Sequence, residues 1–160
     1  MLTLKASLAT ILVPGVACFL IPYLILERLQ IPLAPPQDIL QFLAIFAGGF
    51  GLFMVIWVST VFVHRGKGTP IPIEPPTRLV IAGFFRYLRN PMYFGAVLIV
   101  LAEAVYFRSA WLALYAAVLW GTLHSALVVW EEPQLKRRYG ADYEQYLQEV
   151  PRWIPRLRLR

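Results

Sequence analysis

The chain has 160 residues, of which 59% are apolar and only 15% charged. Such a chain is too rich in aromatic and branched side chains for disorder, and too poor in charge to solvate a soluble enzyme of one domain. A single cysteine (Cys18) and two histidines (His64, His124) exclude a disulfide framework and a zinc finger, so no metal site is expected, and the net charge of +6 sets nucleic acid against a membrane surface.

Four apolar runs follow one another along the chain. Ala6–Leu26 is 21 residues without a charge. It is too long for a signal-peptide core and has no small-residue cleavage site, so it reads as a retained span. Ile39–Val63 follows with 25 uncharged residues, then Pro91–Phe107 with 17 and one acid, Glu103, and then Ala110–Trp130 with 21 and one histidine, His124. A hydrocarbon core of about 30 Å is crossed by roughly 20 helical residues, and all four runs meet that length. Lys and Arg divide thirteen to two between the two sides that these spans define. The positive-inside rule then puts both termini and the middle loop in the cytoplasm. The basic residues read as a collar on the membrane surface, and nucleic acid is not an expected partner.

Polar residues collect in two cytoplasmic segments. The loop His64–Asn90 holds Pro70, Pro72, Pro75 and Pro76, which favour a stiff extended path, and Gly66 and Gly68, which permit close backbone approach. Its Gly-Lys-Gly-Thr stretch has neither the glycine spacing nor the preceding strand of a phosphate loop. At the end of this loop Pro91 suits the first turn of a helix, Asn90 suits its N-cap, and Arg89 stands at the helix mouth, where free amides favour an anion. Two readings fit Arg89: a carboxylate clamp, or an anchor on lipid phosphate.

Glu131 and Glu132 follow the fourth span. At a helix C-terminus adjacent acids oppose the dipole and invite a functional reason; alternatively they open the next helix, with Pro133 in its first turn. Leu135, Tyr139, Tyr143, Tyr146, Leu147 and Val150 recur at helical spacing, which predicts an amphipathic helix lying at the interface or capping the bundle. Trp153 beyond it suits the headgroup boundary. His124 lies about 9 Å from the cytoplasmic end of its helix, where it either lines a pocket and takes a proton or makes a packing hydrogen bond. Glu103 lies near the opposite end of span 3, about 15 Å from His124 in depth, so the two do not pair directly. Gly48, Gly49 and Gly51 read as a close-packing face, and Cys18 as a small apolar filler.

The motifs Gly66-x-Gly68-Thr69-Pro70, Arg89-Asn90-Pro91-Met92-Tyr93-x-Gly95, Glu131-Glu132, Tyr139-Gly140-x-x-Tyr143-x-x-Tyr146 and Val150-Pro151-Arg152 occur in that order. Together they resemble the isoprenylcysteine carboxyl methyltransferase and phospholipid methyltransferase superfamily, over about residues 39–156. The resemblance implies an integral membrane enzyme that moves a methyl group from S-adenosylmethionine to an acceptor entering from the bilayer. It implies cofactor contacts from Tyr87, Arg89, Asn90, Pro91, Tyr93, Gly95, Glu131 and Glu132, and, as in the phospholipid branch, from Gly66 and Gly68. Many relatives carry histidine at the position of Asn90 and Pro-Tyr at that of Phe84-Phe85, so this chain lacks a base and an aromatic contact found there.

The residues suit that cofactor on their own chemistry. An arginine matches its carboxylate, two acids match its ribose diol or ammonium, and rings such as Tyr93 pack on adenine or face the sulfonium. The expected fold is therefore all-α: four transmembrane helices plus a C-terminal amphipathic helix, forming one domain in a bacterial or archaeal inner membrane. Arg89 and His124 are the expected catalytic side chains, and the lipid bilayer and a lipophilic or lipid substrate are the expected partners. The acceptor's reacting group (carboxylate, amine or thiol) and the oligomeric state are left open. Two rival classes stand beside this reading: a nicotinamide-dependent reductase of steroid-reductase-like architecture, and a non-catalytic membrane scaffold.

Overall fold

A computed structural model describes residues 12–61, 79 and 81–155. Gly66 and Gly68, and with them most of the proline-rich loop, lie outside the described residues. The described residues are all-α, with no strand among them.

Helix α1 covers residues 12–28 and includes a π segment, Val16–Leu20, ahead of the regular stretch Ile21–Arg28. Asp38 then caps α2 (Ile39–Val61), its Oδ1 accepting from the Gln41 amide at 3.0 Å. Such a side-chain acceptor satisfies one of the amides left free in a first helical turn. A short 3-10 turn, Gly83–Arg86, leads into α3 (Pro91–Tyr106), where Pro91 gives up no intrahelical bond. Asn90 occupies the N-cap position of α3, but its side chain makes no capping bond, contrary to the expectation from sequence. Arg108, at positive φ, turns the chain back, and Ser109 caps α4 (Ala110–Ala126).

Helix α4 does not stop at the two acids. It passes through a π segment, Leu127–Glu131, directly into α5 (Glu132–Tyr139), so that Ala110–Tyr139 is one 30-residue helix. The acids sit inside a helix rather than at its end, which removes the dipole conflict expected for a span ending at Trp130. The amphipathic tail is likewise two helices, not one. Gly140, at φ 54° and ψ −128°, breaks it into α5 and α6 (Ala141–Glu149). Its tyrosine face packs on the protein itself: Tyr143, Tyr146 and Val150 are buried with Leu79, Leu135, Tyr139 and Leu147.

Two helices, Ile39–Val61 and Ala110–Tyr139, are long and apolar enough to cross a membrane, and their most apolar windows are only 22% and 17% buried. A core helix of a soluble protein would be mostly buried, whereas these turn Phe46 and Val129 outward, each 76% exposed. The shorter α3 lies against α2 and α4, and Cys18, Val55, Ala96, Ile99, Val100 and Ala116 join α1 to α4 in one core cluster. At the end of the bundle remote from Arg89, Arg108 pairs with Asp38, and Gln41 Nε2 donates to the Tyr106 carbonyl at 2.9 Å.

The α2–α3 crossing is set by glycine. A Cβ on Gly51 would stand 2.7 Å from the Gly95 carbonyl oxygen, and a Cβ on Gly95 would stand 2.7 Å from that of Gly51. Gly51 thus fits the close-packing face expected from sequence, whereas a Cβ on Gly49 would meet nothing within 4 Å. For Gly95, expected at the cofactor, the crossing supplies a packing reason on its own. Gly51→Ala and Gly95→Ala are each expected to push the helices apart at a cost of about 1–3 kcal/mol. Unfolding in detergent should show the double variant losing less than the sum, because parted helices accommodate the second methyl. Strictly additive losses would refute the shared contact.

Candidate functional site

The site forms where the N-terminus of α3, the π segment before α5 and the strap after α6 (residues 150–155) meet. The 3-10 turn positions the first of these. Phe84 is caged edge-on by Phe50, Phe53 and Trp57 of α2, with ring centroids 6.1, 6.1 and 5.0 Å away. Gly83, at φ +53°, lies flat against Trp57, where a Cβ would fall 2.1 Å from ring carbons. From the other side the Tyr146 hydroxyl donates to the Phe85 carbonyl at 2.8 Å. Leu88 is buried next, and the Arg89 amide donates to the Pro151 carbonyl at 3.0 Å. The approach to α3 is thereby held by α2, α6 and the strap together.

Glu132 is the charged centre, buried to 8% exposure. Its Oε1 accepts from Arg89 Nη1 at 3.0 Å and from Arg152 Nε at 2.9 Å, and its Oε2 accepts from Arg152 Nη2 at 2.8 Å. Both carboxylate oxygens are thus engaged, bidentate on the Arg152 side, the geometry that a planar guanidinium favours. The bond to Glu132 also raises the pKa of Arg152. Glu131 lies one residue earlier and faces a different partner: its Oε2 accepts from the Tyr93 hydroxyl at 2.9 Å. The wider i→i+5 winding at Leu127–Glu131 re-phases the helix just ahead of Glu132, a local distortion that recurs at functional sites.

Two donors at this junction have no partner among the described residues. Arg89 Nε and Asn90 Nδ2 are buried and unbonded at the mouth of α3. Buried N–H groups are almost always satisfied, and each orphan costs about 1–3 kcal/mol. Both lie at the N-terminus of a helix, where the first amides also lack intrahelical partners and favour negative charge.

The remaining expected residues divide. Pro91 is buried in the first turn of α3 beside Asn90, while Tyr87 is exposed, its side chain outside the ion-pair cluster. His124 stands in an aromatic stack, 5.3 Å from Trp120 and 6.2 Å from Trp153 between ring centroids. Its Nδ1 accepts from Trp153 Nε1 at 3.1 Å. In the neutral ring this occupies the Nδ1 lone pair and leaves the proton on Nε2, the packing hydrogen bond that was one of the two readings of His124. Trp153 is tied to the bundle through this bond. Arg152 was visible only as part of the Val150-Pro151-Arg152 motif. Nothing in the sequence ties it to Glu132 twenty residues earlier, because the break at Gly140 that returns the strap is a single glycine.

The described residues therefore define an all-α protein with membrane-type helices and a buried, ion-paired polar site at one end of its bundle. The model that defines the phospholipid methyltransferase family matches residues 40–142, and the chain belongs to that family of membrane methyltransferases. No curated protein and no solved structure matches.

Burial raises the pKa of Tyr143 and Tyr146, with the charge of Glu132 adding to the first. The neutral phenols therefore stabilise the fold fully below the ordinary value near 10, and that contribution drains away as pH climbs toward the raised values. Denaturant unfolding in detergent should show stability falling above about pH 10. Tyr146→Phe should lose about 1 kcal/mol at neutral pH, from the bond to Phe85, yet show a shallower alkaline fall. An unchanged alkaline slope would refute the role given to Tyr146.

Proposed function

We propose that the chain is a four-span integral membrane enzyme, its termini on the cytoplasmic face of a bacterial or archaeal inner membrane. It transfers a methyl group from S-adenosylmethionine to a lipophilic or membrane-partitioned acceptor. The observation that carries this reading is the pair of unpartnered buried donors, Arg89 Nε and Asn90 Nδ2, at the α3 mouth. Glu131, one residue before the Glu132 that holds Arg89, is a second carboxylate at this end of the bundle, and Tyr93 of the first turn of α3 holds it through one oxygen.

That set fits the cofactor's amino-acid end. Arg89 and Asn90 bind the carboxylate, with the first amides of α3 supplying the dipole. Glu131 accepts from the ammonium or the ribose diol, and Tyr93 fixes the rotamer of Glu131 while presenting its ring to the sulfonium. Glu132 works at one remove: with both oxygens on arginines, it positions Arg89 rather than touching the cofactor itself. Bound there, the cofactor would supply an electrophilic methyl group with a neutral thioether as its leaving group. Holding the acceptor in line with that methyl supplies much of the acceleration, on the order of several kcal/mol. His124, oriented by Trp153, offers Nε2–H to an anionic oxygen of the acceptor. The family's description makes a phospholipid amine the first acceptor to try, ahead of an isoprenylcysteine-type carboxylate or a small thiol.

Calorimetric titration of the detergent-purified chain tests this reading, with S-adenosylhomocysteine as ligand and NADPH in parallel. S-adenosylhomocysteine should bind at micromolar concentration. Arg89→Ala should weaken it at least tenfold, about 1.4 kcal/mol. Glu132→Ala should abolish binding by releasing Arg89. Binding of NADPH alone would assign the chain to the reductases, and binding of neither by folded protein would leave a scaffold.

A further inference from the structure

A second pocket lies away from the ion-paired site. It is a crevice of about 400 Å³ between α1, α2 and α3, walled by Phe19, Ile45, Gly49, Leu52, Ile99 and Glu103 among others. Its volume falls in the range of small-molecule sites, about 300–1,000 Å³. Twelve residues of α3 separate Glu103 from Pro91, about 18 Å of helix, so the crevice does not belong to the Arg89 cluster. Gly49 opens it, since no atom stands within 4 Å of where a Cβ would be.

Glu103 is the only acidic or basic side chain among the described residues of that wall, and its Oε2 is buried without a hydrogen-bond partner among them. The donors around it are committed elsewhere. Cys18 and Tyr115, both within its electrostatic reach, bond to the carbonyls of Ala96 and Ala17. Tyr106, in the same wall, donates to the Ala34 carbonyl at 2.6 Å. Arg108, the arginine nearest along the chain, is paired with Asp38. An ionisable group in an apolar setting is costly to leave unpaired and marks a functional position when no partner is at hand.

We propose that this crevice binds a single-chain cationic amphiphile, its ammonium group on Glu103 and its alkyl chain along the Gly49 side. Charge complementarity selects the ammonium. A carboxylate without a cation among the described residues gains both a counter-charge and N–H donors from such a head, whereas an alcohol brings no charge and a fatty acid brings repulsion. The apolar wall suits one alkyl chain. This site is independent of the methyl-transfer reading.

The test uses full-length protein in phosphatidylcholine nanodiscs and a hexadecylamine bearing a diazirine near its head. After photolysis, adducts should map by mass spectrometry to residues 44–52 or 99–107. Unlabelled hexadecylamine should compete, and hexadecanol and hexadecanoic acid should not. Glu103→Gln should lower labelling at least tenfold. Gly49→Leu keeps the carboxylate, fills the space and replaces a poor helix former by a good one, so it should fold and should also lose labelling. Absent labelling in the wild type, labelling that either variant retains, or equal competition by hexadecanol would overturn the proposal.

Discussion

One buried carboxylate organises the end of the bundle where the polar residues gather. Glu132 is nearly sealed from solvent, and a charge in that position is stable only when paired and fully hydrogen-bonded. Its two partners come from distant parts of the chain: Arg89 from the entrance to α3, Arg152 from the strap beyond α6. Pairing them on one carboxylate forces three segments into a fixed arrangement. Removing the carboxylate would leave two guanidinium groups facing each other, a loss of about 3–5 kcal/mol for a broken buried pair. The same geometry leaves Arg89 Nε buried without a partner among the described residues, so the ion pair uses only part of that side chain's hydrogen-bonding capacity.

This arrangement depends on two features of the helices. The Gly51–Gly95 contact brings α2 and α3 close enough that the aromatic side chains of α2 reach over and cage Phe84, which carries the chain into Arg89. The π segment before α5 does the second part. Without its extra residue per turn, Glu131 and Glu132 would be phased differently against α3, and each acid would not meet its own partner, Tyr93 and Arg89. A long helix with one wide turn thus does what a loop does elsewhere, while keeping its backbone hydrogen bonds satisfied in an apolar setting.

Much of this was legible in the sequence because it follows from local chemistry. Apolar runs, the proline at the start of α3 and the tyrosine periodicity each depend on neighbours within a turn or two. What escaped were relations between distant residues. Nothing local distinguishes Gly51, which packs on Gly95, from Gly49, which opens a crevice. The adjacent acids looked anomalous because a helix was expected to end at Trp130, and a π segment has no simple residue signature. Asn90 looked like a cap from its position before Pro91, yet its amide is turned into the interior, where the unsatisfied Arg89 Nε also lies.

The strap shows how two functions can be tied by adjacency. Arg152 and Trp153 are consecutive, and they bind Glu132 and His124 respectively. The two residues lie in a bend, and from it one short segment holds the charged cluster with the first side chain and the aromatic stack with the second. The carbonyl of Pro151 adds a third tie through the Arg89 amide. Three consecutive residues, Pro151, Arg152 and Trp153, thereby tie the strap to Arg89, Glu132 and His124.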